Sequence, residues 1–268
     1  MASQPPSMIR HFARVAPQYR RVRELDVRMV YRVAEILRDL AQGDRPLALV
    51  DVGAGTGRYM EAVIGVLAAR MALLPLAVAY DATPQMLGVR AAAPSLASRP
   101  LTGVTGLAEH LPFTAQSFDA LLTFNAVHHF DLGAFLTEAA RVLRPSGKML
   151  LYTRTPEQNR TTIWGRFFPQ FAERETRLYS EATLQDALDR CSAFGMVEFV
   201  PTLWTLRTSL SRLLEQARGI SYSTFLFYRR REFEAALRTF EKRVRAHFRN
   251  TSAIIVRNDH LLVVATRR

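Results

Sequence analysis

The chain has 268 residues, 49% hydrophobic and 22% charged, a balance that predicts a folded globular protein and excludes an intrinsically disordered one. Its net charge of +12 is concentrated in residues 207–268, with fourteen basic and five acidic residues, which indicates either a solvated basic surface or a partner that is anionic. No apolar run reaches the roughly 18 residues of a membrane span, no secretory signal is apparent, and a single cysteine favours the cytoplasm.

The predicted elements begin with a helical stretch and continue as alternating strands and helices. Apolar side chains recur every three or four positions over residues 8–42 and predict helix, interrupted at Pro17 and ended by Gly43. The following elements are predicted as strand 47–52, helix 57–70, strand 76–80, helix 84–91, strand 101–105, strand 118–124, helix 133–143 and strand 147–153. This alternation predicts a parallel sheet with helices on both faces.

The alternation changes after Thr155. Ser180 is predicted as the N-cap of a helix that runs towards Gly195. Beyond it we predict a strand at 196–200, helices at 208–218 and 230–248, and strands at 252–257 and 260–267. Asn258 and Asp259 suit a tight antiparallel turn between the last two strands. We expect this tail to cap the sheet.

A glycine-rich loop, VDVGAGTGRY (50–59), follows the first predicted strand and lets a ligand approach the backbone. Arg58 stands where a dinucleotide-binding pattern needs its third glycine, and no Lys-Ser or Lys-Thr pair follows as in a kinase-type phosphate loop. Asp51, at the end of the strand, would repel a pyrophosphate and attract an ammonium group. The alternative for Asp51 is a buried acid satisfied by the loop amides.

Five stretches in this order resemble the motifs of the class I S-adenosylmethionine-dependent methyltransferases, in the methyltransferase type 11 and quinone-biosynthesis-like branch. They are VDVGAGTGRY, YDATPQML (80–87), GLAEHLPF (106–113), FDALLTFNAVHHF (118–130) and FLTEAARVLRPSGKMLLYT (135–153). The resemblance implies an α/β, Rossmann-like, doubly wound, mostly parallel sheet with antiparallel C-terminal strands and a helical cap. It divides the chain into an N-terminal helical cap (1–46), a cofactor-binding core (47–155), and lid helices with the C-terminal strands (156–268).

The resemblance also implies S-adenosyl-L-methionine as the cofactor, bound at the carboxyl ends of the strands. Asp81 would accept hydrogen bonds from both ribose hydroxyls, and the alternative for it is an N-cap of the helix at Pro84. Leu107 stands where many relatives have an acidic residue, which removes one adenine contact. The predicted cofactor-binding residues are Asp51, Gly53, Ala54, Gly55, Thr56, Gly57, Asp81, Ala82, Met86, Leu107, Ala108, Glu109, Asn125 and Tyr19. No metal site is predicted.

His128 and His129 follow the fourth strand, where the relatives place residues that face the transferred methyl group. Either imidazole could act as a base, so both are the predicted catalytic residues, with a structural or cofactor-lining role as the alternative. A set of aromatic residues is expected either to close over the sulfonium or to belong to the ordinary core. It includes Phe12, Tyr19, Trp164, Phe167, Phe168, Phe171, Tyr222, Phe225, Phe227 and Tyr228.

The sequence therefore predicts an enzyme that moves a methyl group from S-adenosylmethionine to an O, N or C centre of a small, aromatic or polyketide-like molecule. The first alternative is an RNA methyltransferase, acting on tRNA in particular, that uses the basic C-terminal segment. The second alternative is a non-catalytic scaffold that binds the cofactor. We expect a cytoplasmic location, a small-molecule acceptor as the partner with RNA as the alternative, and no membrane span.

Overall fold

A seven-stranded sheet with helices packed against it organises the chain. The computed structural model describes residues 6–41, 45–91, 101–220 and 222–268. The strands are β1 (Ala48–Val52), β2 (Leu76–Asp81), β3 (Thr102–Thr105), β4 (Phe118–Phe124), β5 (Leu143–Thr153), β6 (Phe194–Thr208) and β7 (Ile254–Arg267). The helices are α1 (Pro6–Val22), α2 (Val27–Leu40), α3 (Arg58–Ala68), α4 (Pro84–Ala91), α5 (Leu132–Val142), α6 (Pro156–Thr161), α7 (Ile163–Phe167), α8 (Phe171–Arg174), α9 (Glu181–Arg190), α10 (Leu210–Arg218) and α11 (Arg230–His247). In the described part of the chain, no helix combines the length and the apolar character that a bilayer crossing requires.

The strand order, β3-β2-β1-β4-β5-β7-β6, confirms the predicted fold class. Neighbouring strands from β3 to β5 pair in parallel, and β7 pairs antiparallel with both β5 and β6. The chain moves from β1 towards one edge and returns at β4 to continue towards the other edge. A crevice therefore opens between the carboxyl ends of β1 and β4, the position at which doubly wound sheets bind ligands.

Alternating residues of the central strands face two separate apolar layers. In β1, Val50 packs in the layer that contains α5 and α9, whereas Leu49 packs in the layer that contains α2 and α3. Every residue of β4 is buried, as expected for a parallel strand covered on both faces. These two layers hold the carboxyl ends of the strands in fixed positions.

A third apolar cluster joins α7, α8, α10 and α11 of the C-terminal half. Most of the aromatic residues that the sequence assigns to either a lid or the core pack here against each other. Trp164, for example, stacks on Phe240 with ring centroids 4.9 Å apart, and Phe168 and Phe171 are 1% exposed. The packing of Phe168 and Phe171 therefore supports a role in the core and not in a lid over the sulfonium.

The break between the first two helices differs from the prediction. Pro17 lies inside α1, and the chain breaks at residues 23–26 instead. Asp26 determines this position because its side chain accepts hydrogen bonds from the backbone N–H groups of Arg28 and Met29 as the N-cap of α2. Gly43, the predicted stop of the helix, lies outside the described residues.

The predicted C-terminal hairpin is wrong. Asn258 and Asp259 continue a single strand, β7, in which they pair with Trp204 and Leu203 of β6. β6 is longer than the predicted 196–200 and gives β7 a partner along its whole length, so the polar pair has no need to turn. The helix predicted to run towards Gly195 begins after its Ser180 N-cap as expected but ends at Arg190.

Asp26 also supplies a first testable prediction, because it is 2% exposed and accepts a hydrogen bond of 2.7 Å from the Tyr152 hydroxyl. The Asp26→Ala variant loses the helix cap and leaves that hydroxyl buried without a partner, so we expect its free energy of unfolding to fall by about 2 kcal/mol in urea titrations. Asp39→Ala removes an exposed acid of the same helix and serves as the control, with an expected change within about 0.5 kcal/mol. Equal stabilities of the two variants would contradict this role of Asp26.

Candidate functional site

The glycine loop between β1 and α3 is a tight turn with three left-handed residues. Gly53, Gly55 and Gly57 have φ angles of 72°, 56° and 70°, a region that residues with a Cβ rarely adopt. The backbone N–H groups of Gly53 and Ala54 both donate to the carbonyl oxygen of Tyr80 at the end of β2. The loop is thereby held close to the carboxyl ends of β1 and β2.

The Asp81 carboxylate, at the end of β2, fixes the same loop from the other side. One oxygen accepts the N–H of Gly55 and the other accepts the N–H of Thr83, both at 2.8 Å. Burial raises the pKa of Asp81, and the two N–H donors oppose that rise. Each oxygen keeps a further lone pair, so the carboxylate can still accept hydrogen bonds from a ligand that offers two hydroxyls.

Asp51 is a buried carboxylate without a matching donor. It is 1% exposed, and its Oδ1 has no hydrogen-bond partner among the described residues. The interpretation that the loop amides satisfy it is wrong, because those of Gly53 and Ala54 donate to Tyr80 and that of Gly55 donates to Asp81. Burial raises the pKa of Asp51 well above its ordinary value, and the charge of Asp81 raises it further. A buried acceptor of this kind fits a cationic ligand.

These groups surround a cleft that encloses about 820 Å³, open solvent at its mouth included. All of the predicted cofactor-binding residues line it except Thr56 and Gly57. Thr56 is buried with its hydroxyl unpaired among the described residues, and Gly57 occupies the N-cap position of α3. The cleft therefore joins side chains from α1, the glycine loop, β2 and the turns after β3 and β4.

Other residues of the cleft are not among the predicted cofactor-binding residues, although Tyr80 and Gly106 begin two of the stretches that carry the resemblance. Arg23 comes from the turn between α1 and α2, and Tyr80 and Gly106 come from the ends of neighbouring strands. A Cβ at Gly106 would lie 2.0 Å from the Tyr80 hydroxyl oxygen, so the close approach of residue 106 to the Tyr80 ring requires glycine. A glycine directly after the third predicted strand is the one sequence signal that could have identified this contact. No sequence pattern around Arg23 indicates that it lines the cleft.

The two predicted catalytic histidines lie on one 3-10 turn, Val127–His129, with ring centroids 4.1 Å apart. His129 lines the cleft, whereas His128 lines an adjoining cavity. Nδ1 of His129 lies 3.4 Å from a guanidinium nitrogen of Arg177, which can only donate, so the ring hydrogen of His129 belongs on Nε2. His129 in this state has its donor at Nε2. Nδ1 of His128 has no hydrogen-bond partner in the described part of the chain.

The surroundings of both imidazoles favour their neutral form. Burial, together with the charges of Arg177, Arg23 and Arg154, lowers the pKa of His128 to about 3. Burial, His128 and Arg177 lower the pKa of His129 well below its ordinary value. A neutral imidazole keeps its lone pair at neutral pH, but one with so low a pKa is a weak base.

These pKa shifts predict acid sensitivity of the fold. In the unfolded chain a histidine titrates near pH 6.5, so below that pH the unfolded state binds protons that buried His128 does not, and stability falls as the pH falls. Each such histidine contributes a limiting slope of about 1.4 kcal/mol per pH unit between pH 6.5 and its folded pKa. The raised pKa values of Asp51 and Asp81 act in the opposite direction, so the slope of a variant is compared with that of the wild type.

We expect His128→Asn to reduce the slope of the unfolding free energy against pH by about 1.4 kcal/mol per pH unit between pH 6 and pH 4.5, which is the contribution of one such histidine. Urea unfolding at several pH values measures this slope. His110→Asn is the control. His110 is exposed, so its replacement measures the effect of a histidine-to-asparagine change at the surface. Parallel curves for the wild type and His128→Asn would show that His128 is protonated as readily in the folded state as in the unfolded one.

Comparison with known proteins agrees with this geometry. A family model described as a methyltransferase domain matches residues 50–151. Over 147 residues the chain is 35% identical to the malonyl-[acyl-carrier protein] O-methyltransferase of Dechloromonas aromatica, a match that covers 54% of this chain and 49% of that protein. The chain thus spans about half the length of this curated relative.

Solved structures share the fold at low sequence identity. A protein of Anabaena variabilis, assigned as a methyltransferase from an antibiotic biosynthesis pathway, superimposes with a TM-score of 0.65 and 20% identity over 88% of this chain and 97% of its own. Phosphoethanolamine N-methyltransferase 2 of Haemonchus contortus, in complex with S-adenosyl-L-methionine, superimposes with a TM-score of 0.51 and 14% identity. The match covers 87% of this chain and 52% of that protein. Residues 50–151 thus match a methyltransferase domain, and for this part of the chain the resemblance to the class I S-adenosylmethionine-dependent methyltransferases is confirmed.

Proposed function

We propose that this protein transfers the methyl group of S-adenosylmethionine to an O, N or C centre of a small acceptor with an aromatic or polyketide-like body. The observation that carries the proposal is a pair of carboxylates at one cleft: buried Asp51, whose Oδ1 has no partner among the described residues, and half-buried Asp81, which is bonded to the glycine loop. In this proposal residues 47–155 bind the cofactor, residues 1–46 form a helical cap, and residues 156–268 supply lid helices and the C-terminal strands that complete the sheet.

The residues present fit this cofactor. Asp51 would hold the ammonium group of its methionine part, and Asp81 would hold the ribose hydroxyls. Leu107, Ala108 and Glu109 lie in the turn after β3, where they would line the adenine side. The bound cofactor supplies an electrophilic methyl group, and the protein's task is to align the acceptor with it and to exclude water.

Aromatic side chains at the mouth of the cleft serve this exclusion. Phe12 of α1 contacts both Tyr19 and His129 edge to face, with ring centroids 6.4 Å and 5.4 Å away. All three rings line the cleft. An acceptor that is already ionised needs no base, and for a protonated acceptor His128 is the group that we propose as the proton acceptor.

The choice between a small acceptor and RNA rests on one relative and on the distribution of charge. The Dechloromonas relative is named for a malonyl group on a carrier protein, which supports an acyl or other small acceptor group in place of a nucleobase. The argument for RNA is the excess of basic residues over acidic ones in 207–268.

Calorimetric titration of the full chain with S-adenosylmethionine and S-adenosylhomocysteine tests the cofactor, followed by a salt series with bulk tRNA. We expect saturable binding of both cofactor forms and no tRNA binding at physiological salt. Cofactor binding together with tRNA affinity that falls steeply with salt would replace the small acceptor by RNA. Failure of both cofactor forms to bind would contradict the proposal as a whole.

A further inference from the structure

Two further cavities adjoin the cofactor cleft, and together we name them the inner chamber. Arg23 and Asn125 line the cleft and both of these cavities. Arg154 and Tyr222 line both cavities of the chamber but not the cleft. The chamber therefore begins where the cleft ends, beside the residues that follow β4, which is where a methyl acceptor would have to bind.

Arg23 and Arg154, the arginines that line both cavities of this chamber, have no acidic partner among the described residues. Arg154 is 8% exposed, and its hydrogen-bond contacts are the backbone oxygen of Asp259, a ring nitrogen of His260 and the Tyr222 phenol. Arg23 has a fully buried Nε without a hydrogen-bond partner among the described residues. None of the ion pairs formed within the described ranges includes either residue. Buried cations without a counter-charge are costly, so a ligand that supplies one would bind here.

The acidic residues that line the chamber already have ion-pair or hydrogen-bond partners of their own. Glu175 pairs with Arg177 and accepts a hydrogen bond from Thr224, and Glu24 accepts from Arg212 and Gln216. The positive charge around Arg23 and Arg154 is thus not neutralised by them.

The pKa of Tyr222 is affected by the positive electrostatic potential of these two arginines. Its ring centroid lies 4.2 Å from Cζ of Arg23. Burial alone would raise the pKa of the Tyr222 phenol, yet the charges of Arg23 and Arg154 bring that pKa below its ordinary value. A field that favours the phenolate favours other oxyanions in the same place.

The unpartnered polar atoms of the chamber include donors that an oxyanion would satisfy. Nε1 of Trp204 and Nδ2 of Asn159 are buried without an acceptor in the described part of the chain, and both groups can only donate. Trp164 supplies an apolar wall to the same chamber. The chamber thus combines positive charge and free donors with an aromatic surface.

Building on the proposed function, we propose that the methyl acceptor is an organic anion whose carboxylate or phosphate oxygens bind between Arg23 and Arg154, with its apolar body against Trp164 and Tyr222. The planar guanidinium groups bind such oxygens in pairs, which orients the acceptor as well as holding it. The anion is the anchor that directs the rest of the molecule towards Asn125 and the cleft.

Tryptophan fluorescence offers a direct test, because both tryptophans of the chain, Trp164 and Trp204, line the chamber. The full chain, saturated with S-adenosylhomocysteine, is titrated with benzoate, with phenyl phosphate and with the neutral, size-matched benzamide. We expect at least one of the two anions to quench the fluorescence with a dissociation constant at least 10-fold lower than that of benzamide. The tighter anion identifies the acceptor's oxyanion as carboxylate or phosphate. Equal affinity for all three probes would overturn the inference without any variant.

Arg154→Met is expected to weaken binding of the tighter anion at least 10-fold and to leave benzamide binding unchanged. Arg154→Lys keeps the positive charge but lacks the paired N–H donors, and we expect it to weaken binding of the tighter anion a few-fold. It also provides a result if Arg154→Met does not fold. Arg166→Met removes an exposed arginine outside the chamber and is the control. Undiminished anion binding in both Arg154 variants would overturn the inference. Calorimetric binding of S-adenosylhomocysteine is measured in parallel, so that failure of the anion site is distinguished from failure of the cofactor site.

Discussion

Replacement of Asp81 by alanine is expected to raise the dissociation constant for S-adenosylmethionine at least about 100-fold while the fold persists. The variant loses the proposed acceptor for the ribose hydroxyls and releases the N–H groups of Gly55 and Thr83, which the carboxylate holds at 2.8 Å. Hydrogen bonds to a charged group contribute about 1.5–3 kcal/mol each, and the loss of two accounts for an effect of this size.

Asp81→Asn is the matched variant for this measurement. It keeps one oxygen acceptor and nearly the same volume, so we expect a smaller rise in the dissociation constant, about 10-fold. Calorimetry gives the affinities, and circular dichroism confirms that each variant is folded. A dissociation constant that does not change in Asp81→Ala would remove the ribose role from Asp81 and with it the proposed orientation of the cofactor.

Gly53→Ala is expected to lower the free energy of unfolding by about 4 kcal/mol. The φ angle of 72° costs an alanine roughly 1–2 kcal/mol. The added Cβ would also lie 2.5 Å from Cβ of Ala126 and 2.9 Å from Cζ of Phe130, and such overpacking costs about 1–3 kcal/mol. Because the loop and the turn after β4 must separate, we expect cofactor affinity to fall as well.

Gly65→Ala provides the opposite case within the next helix. Gly65 lies in α3, and a Cβ there would meet no atom within 4 Å. Alanine is the better helix former, so this variant is expected to be more stable by roughly 0.5–1 kcal/mol. Urea unfolding of both variants measures the contrast. Stabilisation by alanine at both positions would show that the loop tolerates a side chain and would contradict its close approach to Ala126.

The core of the fold was predictable because its signals are local. β4 occupies the predicted residues 118–124, and β1 and β2 differ from the prediction by one residue at a single end. Continuous apolar runs mark strands that are buried on both faces, and the glycine loop marks the point where the first one ends. The residues of the cleft that follow these strands could therefore be named in advance.

The remainder depends on contacts between distant parts of the chain. β7 forms one strand through Asn258 and Asp259 because β6 lies beside it, and no pattern within residues 254–267 indicates the length of that partner. Arg23 and Arg154 are two arginines in a chain rich in them, distinguished only by the cavities that tertiary packing places around them. The predicted catalytic pair shows the same limit, since the position of the hydrogen on His129 depends on Arg177.

Arg23 and Asn125 belong to the walls of the cleft and of the inner chamber at once. A wall shared by two ligands links their affinities, and by thermodynamic reciprocity each ligand changes the affinity of the other by the same factor. The sulfonium carries a positive charge that strengthens the binding of an anion beside it, whereas the sulfur of S-adenosylhomocysteine is uncharged. In the proposed complex, methyl transfer would leave an uncharged sulfur beside the anion, so the attraction between the two ligands would end and product release would become easier.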